Sequence, residues 1–130
     1  MTNLDVVNQF LKVCAKRDYA TAHELVTDDL EYQNMMLPPV VGKQAMSDTC
    51  DMLLSLCEDS EWLVHHEVAQ GDLVMNERTD RFLKDGTWVD LPVAGVFRLR
   101  DGLHSNVLLA AFAVFDGPAR LTHPRFGHGV

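Results

Sequence analysis

The chain has 130 residues, 47% of them hydrophobic, and sets 11 Lys and Arg against 19 Asp and Glu for a net charge of −8. That length suits one domain with one core. The acidic balance disfavours nucleic acid and anionic membrane surfaces as partners, because both require a basic face. No P-loop or dinucleotide fingerprint occurs, so nucleotide chemistry is not expected.

The start, Met1-Thr2-Asn3-Leu4-Asp5-Val6-Val7, lacks the basic region and apolar core of a signal peptide. The longest apolar stretch, Val107 to Phe115, falls well short of the roughly 18 residues of a membrane span. Three cysteines, Cys14, Cys50 and Cys57, are an odd number without zinc-like clustering and are read as buried free thiols. A cytoplasmic domain is the expectation.

Asn3 or Asp5 can cap a first helix whose apolar residues Val6, Val7, Phe10, Leu11, Val13 and Cys14 repeat at helical spacing. A short second helix follows at about Tyr19 to Val26, then a strand from Leu30 to Met35. Leu37-Pro38-Pro39 must be irregular, since proline continues neither helix nor ladder. A third helix is read from about Lys43 to Cys57, with Ala45, Met46, Thr49, Met52, Leu53, Leu56 and Cys57 on its buried side. Strands are expected near Trp62–Ala69, Leu73–Leu83, Trp88–Leu99 and His104–Phe115, separated by Gly71-, Gly86- and Gly102-containing turns. Helices followed by consecutive hairpins give an α+β domain, with the helices on one face of a bent antiparallel sheet. The segment from Gly117 to Val130, rich in Gly, Pro and His, reads as a loose C-terminal tail after a domain of residues 1–116.

Two strings carry chemistry. In Tyr32-Gln33-Asn34-Met35-Met36-Leu37-Pro38-Pro39, Tyr32 and Asn34 share one face of a strand; in Asn76-Glu77-Arg78-Thr79-Asp80, Asn76, Arg78 and Asp80 share another. If the second face looks into the concave side of the sheet, an arginine and an aspartate are placed inside an apolar cavity. Burying such charges costs several kcal/mol unless they pair. On an outer face the same two residues would be an exposed pair of little energetic worth.

In this order and spacing the two strings resemble the limonene-1,2-epoxide hydrolase family, a branch of the SnoaL-like, nuclear transport factor 2-like fold. The resemblance runs from the first helix to about Asp101. It implies three helices packed on a strongly curved antiparallel or mixed sheet, cone-shaped around an apolar pocket. It further implies Asp80 as general acid toward an epoxide oxygen, Arg78 orienting it, and Tyr32 and Asn34 holding the attacking water. No metal or other cofactor is implied, and the protein is expected to pair as a homodimer through the outer face of its sheet. By the same comparison the pocket would be lined by Leu37, Leu53, Cys57 and Trp62, and, allowing a shorter hairpin turn, by Phe82, Leu91 and Val93. Each of these taken singly also suits plain core. An apolar epoxide, terpene-like or cycloalkene, would fit such a lining.

The family's second aspartate, which activates the water, sits in the last strand in a Trp-Arg-Asp-Tyr-Phe-Asp context. Counting from Gly95-Val96-Phe97 places Leu109 at that position, and Ala110 after a one-residue insertion; neither is a base. Asp116, His104 and Glu31 are the nearest alternative bases. His65-His66 lacks a third ligand at zinc-like spacing, so no metal site is expected. Two further readings remain open: a polyketide-cyclase-like isomerase using Asp80 as base, and a non-catalytic module that binds a small molecule and dimerises.

Overall fold

The computed structural model describes residues 1–111. Its elements are α1 (Asn3–Ala15), α2 (Tyr19–His23), β1 (Val26–Asn34), β2 (Val40–Val41), α3 (Lys43–Leu54), β3 (Asp59–Gln70), β4 (Leu73–Lys84), β5 (Thr87–Arg100) and β6 (Leu103–Ala111). One six-stranded sheet runs β2-β1-β6-β5-β4-β3. The consecutive hairpins β3-β4, β4-β5 and β5-β6 are antiparallel, whereas β1 joins β6 in parallel, so the sheet is mixed. Register shifts in β1, β3 and between Arg98 and Leu99 of β5 bend the ladder, as an extra residue on one strand does. The α+β architecture, with three helices on a curled mixed sheet, is the one the sequence predicts.

Local chemistry explains the elements. α1 is capped by Thr2 rather than by Asn3 or Asp5. The Thr2 side chain accepts from the Asp5 amide, and Asp5 answers the Thr2 amide, a reciprocal capping box. Val6, Val7, Phe10, Leu11 and Cys14 form its buried stripe. The β4–β5 hairpin turns on Asp85 (φ 51°) and Gly86 (φ 76°), the paired positive φ values of a type I′ turn, which Asp-Gly accommodates with little strain.

Three expectations shift. α2 ends at His23, and β1 begins at Val26, four residues earlier than the alternation from Leu30 suggested. α3 stops at Leu54, not Cys57, and buries Met46, Ser47, Cys50 and Leu54. Met52, Leu53 and Leu56 are exposed instead: the apolar residues span a broad arc of this helix, and the i, i+4, i+8 ridge through Met46, Cys50 and Leu54 faces the sheet. The two-residue β2, paired with Glu31 and Tyr32 of β1, was not anticipated. The remainder of the last strand, with Asp116, and the expected tail 117–130 lie outside the described residues.

The core joins α1, the inner face of the sheet and α3 through residues such as Phe10, Leu30, Met46, Val74, Phe97 and Val107. His104 is part of it, fully buried with its ring 4.5 Å from Phe10 and 5.6 Å from Phe97. Neither ring nitrogen has a well-formed hydrogen bond. Burial pushes its pKa down to about 4, because a charged imidazolium would lose its hydration among aromatic rings. His104 is therefore not the base considered from sequence; it is a neutral core residue.

The folded value lies below the unfolded one of about 6.5, so the unfolded chain takes up the proton first as pH falls. The His104 contribution to stability is intact above about pH 6.5 and is lost progressively toward pH 4. Urea titrations of wild type and His104→Leu at about pH 7 and about pH 4.5 should differ in this respect. The wild type is expected to lose about 2–3 kcal/mol more than the variant over that interval.

Candidate active site

β4 supplies the centre of the site. Its alternation buries Val74, Asn76, Arg78 and Asp80 on the concave face. The Arg78 side chain has no solvent exposure, and its Nε donates to Asp80 Oδ1 at 2.7 Å while NH2 donates to Asp80 Oδ2 at 3.3 Å. This two-pronged geometry suits a guanidinium and a carboxylate. NH1 is 3.5 Å from Asn76 Oδ1, and the guanidinium lies 5.3 Å from the centre of the Trp62 ring. The exposed-pair alternative is thereby excluded.

Arg78 and Asp80 open onto a cavity of about 100 Å³. Tyr32 and Asn34 of β1, Trp62 of β3, Phe82 of β4, Leu91 and Val93 of β5 and Leu109 of β6 line it, as does Leu53 of α3. All four polar candidates and six of the eight apolar ones are thus brought together. Two are not. Leu37 is half-exposed, because the Asn34–Leu37 turn, closed by a 2.9 Å bond from the Leu37 amide to the Asn34 carbonyl, leads the chain outward before Pro38. Cys57 falls beyond the end of α3 and faces a separate shallow cleft with Lys16 and Asp59.

Cys50, Leu54 and Ala111 line the cavity without having been anticipated. The first two belong to the Met46–Cys50–Leu54 ridge of α3, and that four-residue spacing was the available signal. Asn76 was visible only as a neighbour in the motif. Gly95 of β5 lies opposite it: a Cβ there would sit 2.6 Å from the Phe97 ring and 3.0 Å from Asn76 Oδ1. The Asn76 amide therefore fills space that glycine leaves open.

The last strand resolves the two positions counted from sequence. Leu109 pairs with Asn34 on one side and Gly95 on the other and faces the cavity. Ala110 alternates to the opposite face, and Ala111 returns inward, level with Val93 and Arg78 across the sheet. Glu31 is on the exposed side of β1 and His104 is in the core, so neither reaches the cavity. Among the described residues, Asp80 is the one carboxylate in the lining.

Tyr32 stands beside a thiol. Its phenol is buried and lies 3.2 Å from Cys50 Sγ. Burial, then the neighbouring Cys50, pushes the phenol pKa up, so it stays protonated. The Asp80 carboxyl is raised by burial, against the opposing charge and hydrogen bonds of Arg78; desolvation favours the neutral acid. Among the described residues no group of three or more His, Cys, Asp or Glu side chains is arranged to hold a metal. No helix there is long and apolar enough to cross a membrane.

A six-stranded curled sheet holding a buried Arg–Asp pair in an apolar cavity defines a nuclear transport factor 2-like pocket protein. The family model for the limonene-1,2-epoxide hydrolase catalytic domain matches residues 1–116, and the chain belongs to that family. It is similar to an epoxide hydrolase of the same type from M. tuberculosis at 25% identity and a TM-score of 0.73, over 84% of this chain and 81% of that one. A SnoaL-like polyketide cyclase from Shewanella putrefaciens shares the fold at 13% identity and a TM-score of 0.76, over 85% and 90% of the respective chains. A ketosteroid-isomerase-like protein from Catenulispora acidiphila does so at 16% identity and 0.72, over 80% and 82%.

The buried pair has a measurable consequence. Arg78→Met leaves the Asp80 carboxyl without its cation and should cost about 3–5 kcal/mol, as breaking a buried ion pair does. Arg78→Met with Asp80→Leu should recover most of that loss, because apolar groups can replace such a pair at little cost. Urea unfolding of both variants checks the contrast.

Proposed function

We propose that the chain hydrolyses a small apolar epoxide, terpene-like or cycloalkene, to a vicinal diol in one step. The observation that carries this is a carboxyl group raised by burial, held in two-pronged contact with Arg78 at the wall of an apolar cavity. A strained ring opens when its oxygen receives a proton as a nucleophile reaches carbon, and a positioned acid supplies that proton. Asp80 is the donor. Arg78 fixes its orientation and stabilises the carboxylate left behind. Asn34 holds the attacking water by its amide. Tyr32 lines the same cavity and assists through its phenol, which also meets Cys50 Sγ at 3.2 Å. The reaction requires no metal or organic cofactor.

General-base assistance is typically worth about 10²- to 10⁴-fold, and among the described residues no second carboxylate lines the cavity. Turnover is accordingly slow. That same feature favours one other reading, an isomerase of the polyketide-cyclase kind in which Asp80 shuttles a proton and no water is activated. Incubation with racemic limonene oxide and cyclohexene oxide, followed by chiral chromatography of the diols, separates the two. Diol formation supports hydrolysis, and its absence with both epoxides at high enzyme concentration overturns it.

Asp80→Asn should abolish diol formation with little change in substrate affinity, since a proton donated in the transition state is what has been removed. The wild-type rate should fall as pH rises through the raised pKa of Asp80. Leu109→Asp or Ala111→Asp should raise the rate by about 10²-fold or more, whereas Ala110→Asp, on the opposite face, should not. Equal gains at all three positions would mean that the register of β6 does not govern the effect.

Pairing through the outer face of the sheet is the accompanying proposal. Val68, Met75, Val96 and Leu108 form one apolar row across β3 to β6, and Val68 and Met75 are 65% and 44% exposed. Contiguous exposed apolar surface marks an interaction site, and a two-fold pairing would cover one row with another. Sedimentation should show a dimer at micromolar concentration and a monomer for Met75→Glu.

A further inference from the structure

Hydrolysis leaves one reactive group in the cavity without a task. Cys50 is a free thiol on the inward ridge of α3, and it lines the cavity together with Asn34, Arg78 and Asp80. Its sulfur lies 3.2 Å from the Tyr32 hydroxyl, and the Cys14 thiol of α1 is its neighbour. Among the described residues lining the cavity, the competing nucleophiles are poor ones. The Asp80 carboxylate is tied to Arg78, the Tyr32 phenol is held protonated, and the Asn34 amide is inert. Trp62 belongs to the same lining, and its indole Nε1 is buried without an acceptor among the described residues.

We infer that Cys50 is a covalent capture site, at which the sulfur opens a cavity-bound epoxide to a β-hydroxy thioether. This rests on reading the cavity as an epoxide site. The thiol proton passes to the Asp80 carboxylate, giving a thiolate and a carboxylic acid in the same cavity. The sulfur pair then forms an S–C bond at a ring carbon as the C–O bond breaks. Asp80 returns the proton to the departing oxygen. Thiol and epoxide are consumed one for one, and no oxidant, reductant or further reactant enters.

The surroundings favour charge on this sulfur. The neighbouring Cys14 thiol, followed by the Tyr32 hydroxyl and the charge of Arg78, lowers the Cys50 pKa against the opposing effect of burial. The neighbouring Cys50, then burial, pushes Cys14 the other way. The thiolate is the nucleophilic form, and where water lacks a base it is the stronger competitor for the ring carbon.

The test uses the full chain and cyclohexene oxide, with intact mass, peptide mapping and diol release read from the same samples. One epoxide mass per chain, mapped to the peptide bearing Cys50 and absent in Cys50→Ser, is the expected result. Alkylation should slow about 10-fold or more in Asp80→Asn, because general acid help is lost, while any labelling of the more exposed Cys57 should not change. An adduct without diol supports capture and counts against turnover. Diol without an adduct on Cys50 overturns capture and leaves hydrolysis standing. Cys50 and Cys57 labelled at equal rates, in wild type and Asp80→Asn alike, also overturns it, since the cavity would then confer nothing. Because labelling is mapped in the wild type, the inference stays falsifiable even if a variant fails to fold.

Discussion

The rest of the structure depends on a guanidinium and a carboxylate that have left water together. Arg78 is one of the largest fully buried side chains in the described chain, and its partner Asp80 is nearly as enclosed. An isolated charge in such a place costs several kcal/mol, and a pair is tolerated only when its geometry is good and its remaining donors are met. Two bonds to Asp80, a longer one to Asn76 and the face of Trp62 supply that environment. Each comes from a different constraint of the sheet. Asn76, Arg78 and Asp80 share a face through the two-residue period of β4, Trp62 pairs with Asp80 across β3, and Gly95 leaves room for the Asn76 amide.

Much of this is legible in the sequence because strand periodicity is a strict rule. Once Arg78 and Asp80 stand in a strand between turn signals, their common face follows, and so does the common face of Tyr32 and Asn34. The family resemblance adds which face is inward, and the buried pair agrees with it. Helix faces were harder to assign. α3 carries apolar residues over a broad arc, so hydrophobicity alone does not distinguish the edge bearing Met46, Cys50 and Leu54 from the edge bearing Met52 and Leu56. Cys57 was misplaced by a helix end read three residues late, and Leu37 by a turn in which Met36 adopts φ 81°, a conformation that a methionine does not advertise. Asn34 lines the cavity from the strand face it shares with Tyr32, but no motif signals that the Tyr32 phenol meets a thiol on another element.

The charge balance of the cavity separates this chain from a site with two carboxylates around one arginine. One guanidinium and one carboxylate leave the described lining neutral in sum when Asp80 is ionised, and cationic when Asp80 holds its proton. A second carboxylate would pull the arginine between two partners and accept a proton from water. Among the described residues, Arg78 otherwise meets the neutral oxygen of Asn76, at 3.5 Å, and the Trp62 ring. The positive charge is therefore less fully compensated, and it bears on whatever anion forms nearby. Two candidates lie within its field: the Asp80 carboxylate after proton donation, and the Cys50 thiolate, which Arg78 helps to stabilise.

That balance sets the competition between water and sulfur. A water molecule attacking carbon becomes a protonated oxonium unless a base relieves it, and a cationic site opposes that development. Attack by a thiolate instead removes negative charge from the sulfur as the epoxide oxygen gains it, and Asp80 neutralises the oxygen. The sum of charges near Arg78 hardly changes along that second path. A carboxylate introduced at Leu109 or Ala111 would invert the preference twice over, by accepting the proton of water and by raising the cost of a thiolate close by. One substitution on β6 should thus move the cavity from capture toward turnover, and the ratio of diol to Cys50 adduct, measured in the same reaction, should rise for both variants relative to wild type.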